Sequence, residues 1–404
     1  MDYKLSIGFT TDTFTLDDVI RGVLDGSAGL GGVTEFTDVT ADVQQISISR
    51  GRSRETDEFN AGSVSFTLRN ETGKYNPLNT AGPFFPGIEP LMEVKVEASH
   101  NGSTYYTIFR GTIDDWSIQY PSKKESFVLC RASDSIALLS STEVSVTRSA
   151  ELSGTRITAI LDDSSVGFPS LLRSINAGNT TLQSGSQSGT TIDVLRNIEQ
   201  SENGALFVDR EGKLTFKERS STFPSGSPSI TFSDDGSDFS YMQTQLNLND
   251  DLLFNRVTVQ RKNGTAQTKL DATSQAKYRV RQLTRSDLNM SDDTEAADSA
   301  LFLLNKFKDP ETRFAGLNIS VDKLSTSQQS SLAQLDLADI IKVELTPIGE
   351  SSQRSKLLSV NNMIWSIKPG SSNITIGTAD ATNLTFLILD DTEFGKLDSA
   401  KLAY

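Results

Sequence analysis

Leu91-Met-Glu-Val-Lys-Val-Glu-Ala98 alternates Met92, Val94 and Val96 with Glu93, Lys95 and Glu97. A period of two puts the apolar side chains on one face and the charged ones on the other, which is the pattern of a half-buried β-strand. The same pattern spreads outward from this stretch. Gln45–Arg50 aligns Ile46 with Ile48, and Ser63–Arg69 aligns Val64, Phe66 and Leu68 against Ser65 and Thr67. Tyr105–Arg110, Ile113–Gln119 and Phe127–Ala132 read as further strands. Asn76-Pro77, Gly82-Pro83, Pro86-Gly87 and Asn101-Gly102 mark turns between them. Short strands at this spacing predict a barrel or a sandwich.

The opening stretch has a counterpart far along the chain. Val94-Lys-Val-Glu97 is matched by Ile341-Lys-Val-Glu344, and the only two tryptophans share a tripeptide, Trp116-Ser-Ile118 and Trp365-Ser-Ile367. Each tripeptide precedes a polar turn and another strand, ending in Ala132-Ser-Asp134 and in Ala379-Asp380. Upstream, Glu55-Thr56 and Ala61-Gly62 face Glu311-Thr312 and Ala315-Gly316, and Ile46/Ile48 are expected to match Val257/Val259. Matches in the same order predict a tandem duplication of a β-barrel-like domain. Its markers are Val96, Glu97, Trp116, Ser117 and Ile118 in one copy and Val343, Glu344, Trp365, Ser366 and Ile367 in the other. After the Ala-Gly pair the two copies run out of phase by one residue, so a deletion or a β-bulge is required.

Between the copies the pattern changes. Ser153–Asp163 and Thr190–Ser201 read as helices, the second capped by Thr190 or Thr191 with Asp193 in its first turn. Ala205–Asp209 and Lys213–Lys217 form a hairpin about Arg210-Glu-Gly212, and Ser220–Ser229 reads as a linker. A third helix is expected over Asp292–Lys308 behind an N-cap at Ser291, with Ala296, Ala300, Leu303, Leu304 and Phe307 on one face. The chain is thus expected to be mainly β with α+β insertions. It divides into an N-terminal arm (1–34), a first barrel-like domain (35–145), a small α+β domain (146–235), a second barrel-like domain (236–380) with a helical insertion at about 264–308, and a C-terminal extension (381–404).

Composition narrows the function. The 404 residues are 36% hydrophobic and 22% charged, ordinary for a protein with buried cores, and carry a net charge of −14. That balance argues against phosphate-directed nucleic-acid binding, which needs clustered Lys and Arg. The one compact basic run, Arg50-Gly-Arg-Ser-Arg54, reads as a hairpin turn. There is no basic-then-apolar leader and no run near the ~18 apolar residues of a membrane span. One His and one Cys leave no material for His/Cys zinc sites or for Ser-His-Asp and Cys-His machinery. His100 sits in an Asn-Gly turn and Cys130 in a strand-like alternation, so both read as structural.

The remaining chemistry is carboxylate chemistry. Asp114-Asp115, Asp162-Asp163, Asp250-Asp251 and Asp390-Asp391 are adjacent pairs. Glycoside hydrolysis needs two carboxyls set apart across a cleft, and sequence neighbours point in different directions. Asp234-Asp-Gly-Ser-Asp238 and Asp287–Asp293 lack the EF-hand pattern and read as turns. Gly26-Ser-Ala-Gly-Leu-Gly-Gly32 lacks the Lys-Ser/Thr of a phosphate loop. Trp116 and Trp365, at matched places in two repeats, read as core or seam packing before sugar platforms. No catalytic, cofactor-binding or metal-ligating residue is assigned, no cofactor is expected, and the chain reads as not an enzyme.

Two related barrels with an α+β unit between them resemble the tail hub (baseplate hub) proteins of tailed bacteriophages. The intermediate segments Ile157-Thr-Ala-Ile-Leu-Asp162, Thr190–Ser201 and Gly204–Phe216 are similar to that family's short helix, longer helix and hairpin. Asp38–Val43 through Asn76-Pro-Leu78, and the ending Phe386-Leu-Ile-Leu-Asp-Asp391 with Gly395-Lys-Leu-Asp398, resemble minor tail proteins of long-tailed phages. The resemblance implies a homotrimer that forms a pseudo-hexameric ring at the virion tail tip. It implies partners in a distal tail or tail tube protein on one side and a spike, fibre or tape-measure protein on the other, and a long non-contractile tail. A channel-gating role follows from the same resemblance. The rivals are a distal-tail or receptor-binding adhesin and a cell-wall hydrolase.

Overall fold

The computed structural model describes residues 1–9, 36–222 and 227–381. The Gly26–Gly32 stretch, Asp390-Asp391 and the ending from Phe386 onward lie outside them.

Two runs of strands share one order of pairing. In the first, Val43–Gly51, Asn60–Arg69, Phe127–Ser133, Tyr105–Gln119 and Glu93–Ser99 lie side by side, each antiparallel to the next. In the second, Gln243–Leu248, Thr312–Ser320, Ser371–Asp380, Arg354–Lys368 and Ile340–Leu345 do the same. The match extends to single residues. Trp116 faces Cys130, which faces Phe66, and Trp365 faces Ile374, which faces Ile319. Lys95 pairs with Glu97 at 3.1 Å and Lys342 with Glu344 at 2.6 Å, so the repeated Lys-Val-Glu makes one ion pair in each copy. The bulge demanded by the phase slip is present: Gln245 faces Gly316 and Leu246 faces Phe314, leaving Ala315 without an opposite residue.

The two runs belong to one 14-stranded sheet. They join because Arg354–Lys368 has two successive partners along one edge. Its first part pairs with Ile340–Leu345, and its later part, Asn362–Ile367, pairs with Val43–Gly51 of the first barrel. Trp365 faces Ile48 and Ile367 faces Ile46 across this seam. All four are buried and belong to one core that runs through both barrels.

Four expectations are corrected. The arm expected over 1–34 begins as a strand: Asp2–Gly8 pairs with Glu93–Ser99, Leu5 opposite Val96 and Ile7 opposite Val94, because Leu5 and Ile7 need the same core. Val257 and Val259 are not the counterparts of Ile46 and Ile48. They lie in Arg256–Arg261, at the centre of a separate three-stranded sheet with Gln267–Leu270 and Gln282–Leu288, covered by the helix Asp293–Phe307. The counterpart of Val43–Gly51 is Gln243–Leu248, so the insertion begins earlier than residue 264. Helix residues Ala296, Ala300, Leu303, Leu304 and Phe307 pack on Val257 and Val259, as their spacing predicts. Its N-cap is Asp292, which accepts from Thr294 N and Glu295 N, rather than Ser291.

The α+β unit has its own core of Ile157, Ile160, Leu161, Leu195, Ile198, Leu206, Leu214 and Phe216. Its helices are Ser153–Leu161 and Thr191–Glu202, the latter capped by Thr190. The hairpin Ala205–Val208 and Leu214–Lys217 follows.

Trp365 is 1% exposed, with Tyr3 edge-on at 6.4 Å, whereas Trp116 is half-buried. Trp365→Ala is expected to cost about 3–5 kcal/mol, the range for emptying an aromatic site in a packed core. Trp116→Ala is expected to cost clearly less, both read from urea-denaturation midpoints.

Candidate functional site at the barrel seam

The seam is set by its switch point. Arg354–Lys368 carries an extra residue, Asn361, between Val360 and Asn362, where one of its edges passes from Ile340–Leu345 to Val43–Gly51 of the first barrel. Arg52 binds this bulge twice, its backbone N–H donating to the Asn361 carbonyl at 3.0 Å and its Nε to Asn361 Oδ1 at 3.1 Å. Asn362 Nδ2 returns a bond to the Arg52 carbonyl at 3.1 Å. The chain reaches this approach through Gly51, at φ +115°, where a Cβ would lie 2.2 Å from the Asn361 carbonyl oxygen. Only glycine meets both demands.

Below the seam, ionic groups tie the units together. Arg50 is 5% exposed. Its Nη2 donates to Asp336 Oδ1 at 2.7 Å and to the Val208 carbonyl at 2.8 Å. Asp336 also accepts from Arg210 N at 2.7 Å and Leu337 N at 2.8 Å. One guanidinium and one carboxylate thereby join the first barrel, the hairpin of the α+β unit and the second barrel. Arg196 makes a second junction. Its Nη1 donates to Glu199 at 2.7 Å and to the Leu206 carbonyl at 2.8 Å, and its Nη2 reaches the Phe59 carbonyl. Asp134 accepts from Gly62 N at 2.6 Å and caps the helix Ser135–Ser140 through Ile136 N at 2.9 Å. Burial pushes its carboxyl up to about 6, against the backbone donors and the nearby Arg50 and Arg196 that pull it down.

A polar cavity of about 100 Å³ lies beside these groups, with Arg52, Glu58, Glu199, Arg285 and Lys306 in its wall. Burial pushes the Arg52 and Arg285 guanidinium groups below their ordinary values. Its wall holds charges of both signs and neither histidine nor cysteine. The arrangement is suited to locking elements together.

The repeat markers fall around the seam. Trp365, Ser366 and Ile367 are in it. Trp116, Ser117 and Ile118 occupy the equivalent part of Tyr105–Gln119, where Trp116 Nε1 donates to the Tyr75 carbonyl at 3.1 Å. Val96, Glu97, Val343 and Glu344 lie on the strands that pair with the first parts of the two long strands. The Arg50–Arg54 run is at a hairpin turn as expected, but Arg50 is an interior ion-pair partner, which charge alone did not reveal.

The other candidates are dispersed. Ser133 Oγ donates to Asp114 at 2.5 Å, Asp162 holds Arg173, and Asp163 binds Ser165. Asp250 pairs with Arg281, and Asp251 accepts from Asn249. Hydrogen bonds from Ser233 and Ser237 hold the Asp235 carboxyl down at about 2 in its turn, and Asp293 binds Arg261. Among the described residues, no group of three or more His, Cys, Asp or Glu side chains is placed to hold a metal ion. His100 is half-buried against Tyr106, and burial pushes the Cys130 thiol up.

No family model and no curated sequence matches the chain. Solved structures do. The 43 kDa tail protein of prophage MuSo2 from Shewanella oneidensis superposes with a TM-score of 0.55 at 13% identity, over 87% of this chain and 97% of that one. A tail protein from Neisseria meningitidis MC58 gives 0.57 at 10% identity, over 94% and 97%. Prophage tail protein gp18 from Listeria monocytogenes EGD-e gives 0.50 at 11% identity, over 95% of each chain. At these identities the likeness is one of fold.

Asp336→Ala strands a buried guanidinium and is expected to cost about 3–5 kcal/mol. Arg354→Ala, which breaks an exposed pair with Glu350, should leave the urea midpoint unmoved. A carboxyl raised in the fold binds its proton more tightly than in the unfolded chain, so its contribution to stability falls as pH rises from about 4 to about 6. Comparing the wild type with Asp134→Asn isolates this group. Between those two pH values the wild type should lose roughly 2 kcal/mol relative to the variant, because a tenfold fall in proton concentration costs up to about 1.4 kcal/mol for a proton the fold retains and the unfolded chain does not. Urea melts at several pH values read this loss.

Proposed function

Starting from the fold of a prophage tail protein, we propose that this chain is a structural hub of a phage tail tip. In this reading it assembles as a trimer whose six barrels make a pseudo-hexameric ring. The ring joins the tail tube or distal tail protein above to a spike, fibre or tape-measure protein below, and gates the channel. Its work is interfacial, and no residue is assigned to catalysis.

The observation that carries this reading is the seam. Two copies of one domain sit side by side in a single sheet, with the same strand order and a shared core. A chain built this way presents two near-equivalent units, so three chains meet a six-fold partner on one face and a three-fold partner on the other. The net charge of −14 suits a lumen through which DNA must slide without sticking. The loop from Asn70 to Leu91 exposes Leu78, Phe85 and Leu91. These are mainly aliphatic and suit docking onto a protein neighbour better than stacking on sugar, which weighs against the adhesin alternative.

Sedimentation velocity on the purified chain should give three times the 44.0 kDa chain mass. A zymogram on host peptidoglycan should stay uncleared. A monomer at every concentration would remove the ring, and clearing would replace the structural reading with a hydrolase.

A further inference from the structure

The internal seam uses two surfaces: the outer edge of the later part of a long strand, Asn362–Ile367, and the free edge of a barrel's first strand, Val43–Gly51. The duplication supplies each surface a second time. The counterpart of Asn362–Ile367 is the later part of Tyr105–Gln119, which carries Trp116-Ser-Ile118. Beyond Asp114, its bulge residue, this strand pairs only with Phe127–Ser133, so among the described residues no strand lies along its other edge. The counterpart of Val43–Gly51 is Gln243–Leu248, which among the described residues pairs only with Thr312–Ser320. Among the described residues two edges are thus left open, and they are the two halves of a seam the chain already makes once.

We propose that the Trp116 edge of one copy pairs antiparallel with the Gln243–Leu248 edge of a second copy, reproducing the internal seam between chains. This rests on the hub reading and names the surfaces by which its copies join. The register follows from the pairings. Ser366 faces Ser47, Ser47 faces Ser65, and the counterpart of Ser65 is Asn318, which faces Gln243. Ser117, the counterpart of Ser366, therefore faces Gln243 of the neighbour. Trp116 then faces Thr244, and Ile118 faces Met242.

Side-chain exposure fits an unfinished seam. Ile46 and Ile48 are 3% and 0% exposed in the internal seam. Their counterparts are Met242, 54% exposed, and Thr244, half-buried, and farther along the same strand Leu246 and Leu248 are 43% and 69% exposed. Trp116 and Ile118 are half-buried, whereas Trp365 and Ile367 are buried. An apolar edge strand left open is an aggregation hazard. A head-to-tail contact of this kind removes it when the ring closes.

The test is disulfide trapping. The sole native cysteine, Cys130, is buried and stays out of the reaction. The pair Ser47→Cys with Ser366→Cys should link within the chain and calibrates the geometry. The pair Ser117→Cys with Gln243→Cys should link between chains, with closed three-chain species accumulating on a non-reducing gel. Ser117→Cys with Asn247→Cys, out of register, should not link. Circular dichroism and melting close to wild type verify that each variant folds. A non-covalent trimer in which Ser117→Cys/Gln243→Cys fails to link overturns the seam and leaves the hub reading standing. A chain that stays monomeric overturns both, and equal linking by the out-of-register pair overturns the register.

Discussion

The architecture depends on one strand being shared. Arg354–Lys368 stays paired with Ser371–Asp380 of the second barrel, while its other edge passes from Ile340–Leu345 to Val43–Gly51 of the first. Its backbone N–H and C=O groups must be paired all along its length. The change of neighbour falls at Asn361, the extra residue in its ladder with Ser371–Asp380. The bulge is held by Arg52 and admitted by Gly51, and Trp365, Ile367, Ile46 and Ile48 fill the space beneath it. Because the hydrogen-bond ladder and the core both cross the boundary, the barrels are parts of one sheet rather than beads on a linker.

The buried ions consolidate this arrangement. A carboxylate and a guanidinium in the interior are costly to desolvate, and their attraction repays that cost only with good geometry and further hydrogen bonds. Arg50 and Asp336 each have such bonds, to Val208, Arg210 and Leu337. What they supply is specificity of placement: the hairpin after Thr191–Glu202 is fixed against both barrels at once. Asp134 carries the opposite balance, a carboxyl whose burial outweighs its donors, kept because it caps a helix and holds Gly62.

Much of this is legible in the sequence for local reasons. Period-two alternation marks the strands, the Trp-Ser-Ile pair marks the duplication, and the phase slip after Ala-Gly announces the bulge at Ala315. What escapes is nonlocal. Val257 and Val259 alternate as Ile46 and Ile48 do, and alternation does not say to which sheet a strand belongs. Tyr3, Leu5 and Ile7 carry a strand pattern, but the glycines that follow suggest an arm. Arg50 looks like a solvated turn because its partner, Asp336, is far away in sequence and comes near only in the fold. The seam itself is invisible for the same reason, since backbone edges carry no residue signature.

The most direct test is an electron-microscopy map of the assembled ring at a resolution that separates strands. The account predicts six barrels in a continuous belt, with the intrachain seam at Trp365 alternating with an interchain seam at Trp116. A ring in which the Trp116 edge faces solvent or the barrels meet through loops alone would contradict it.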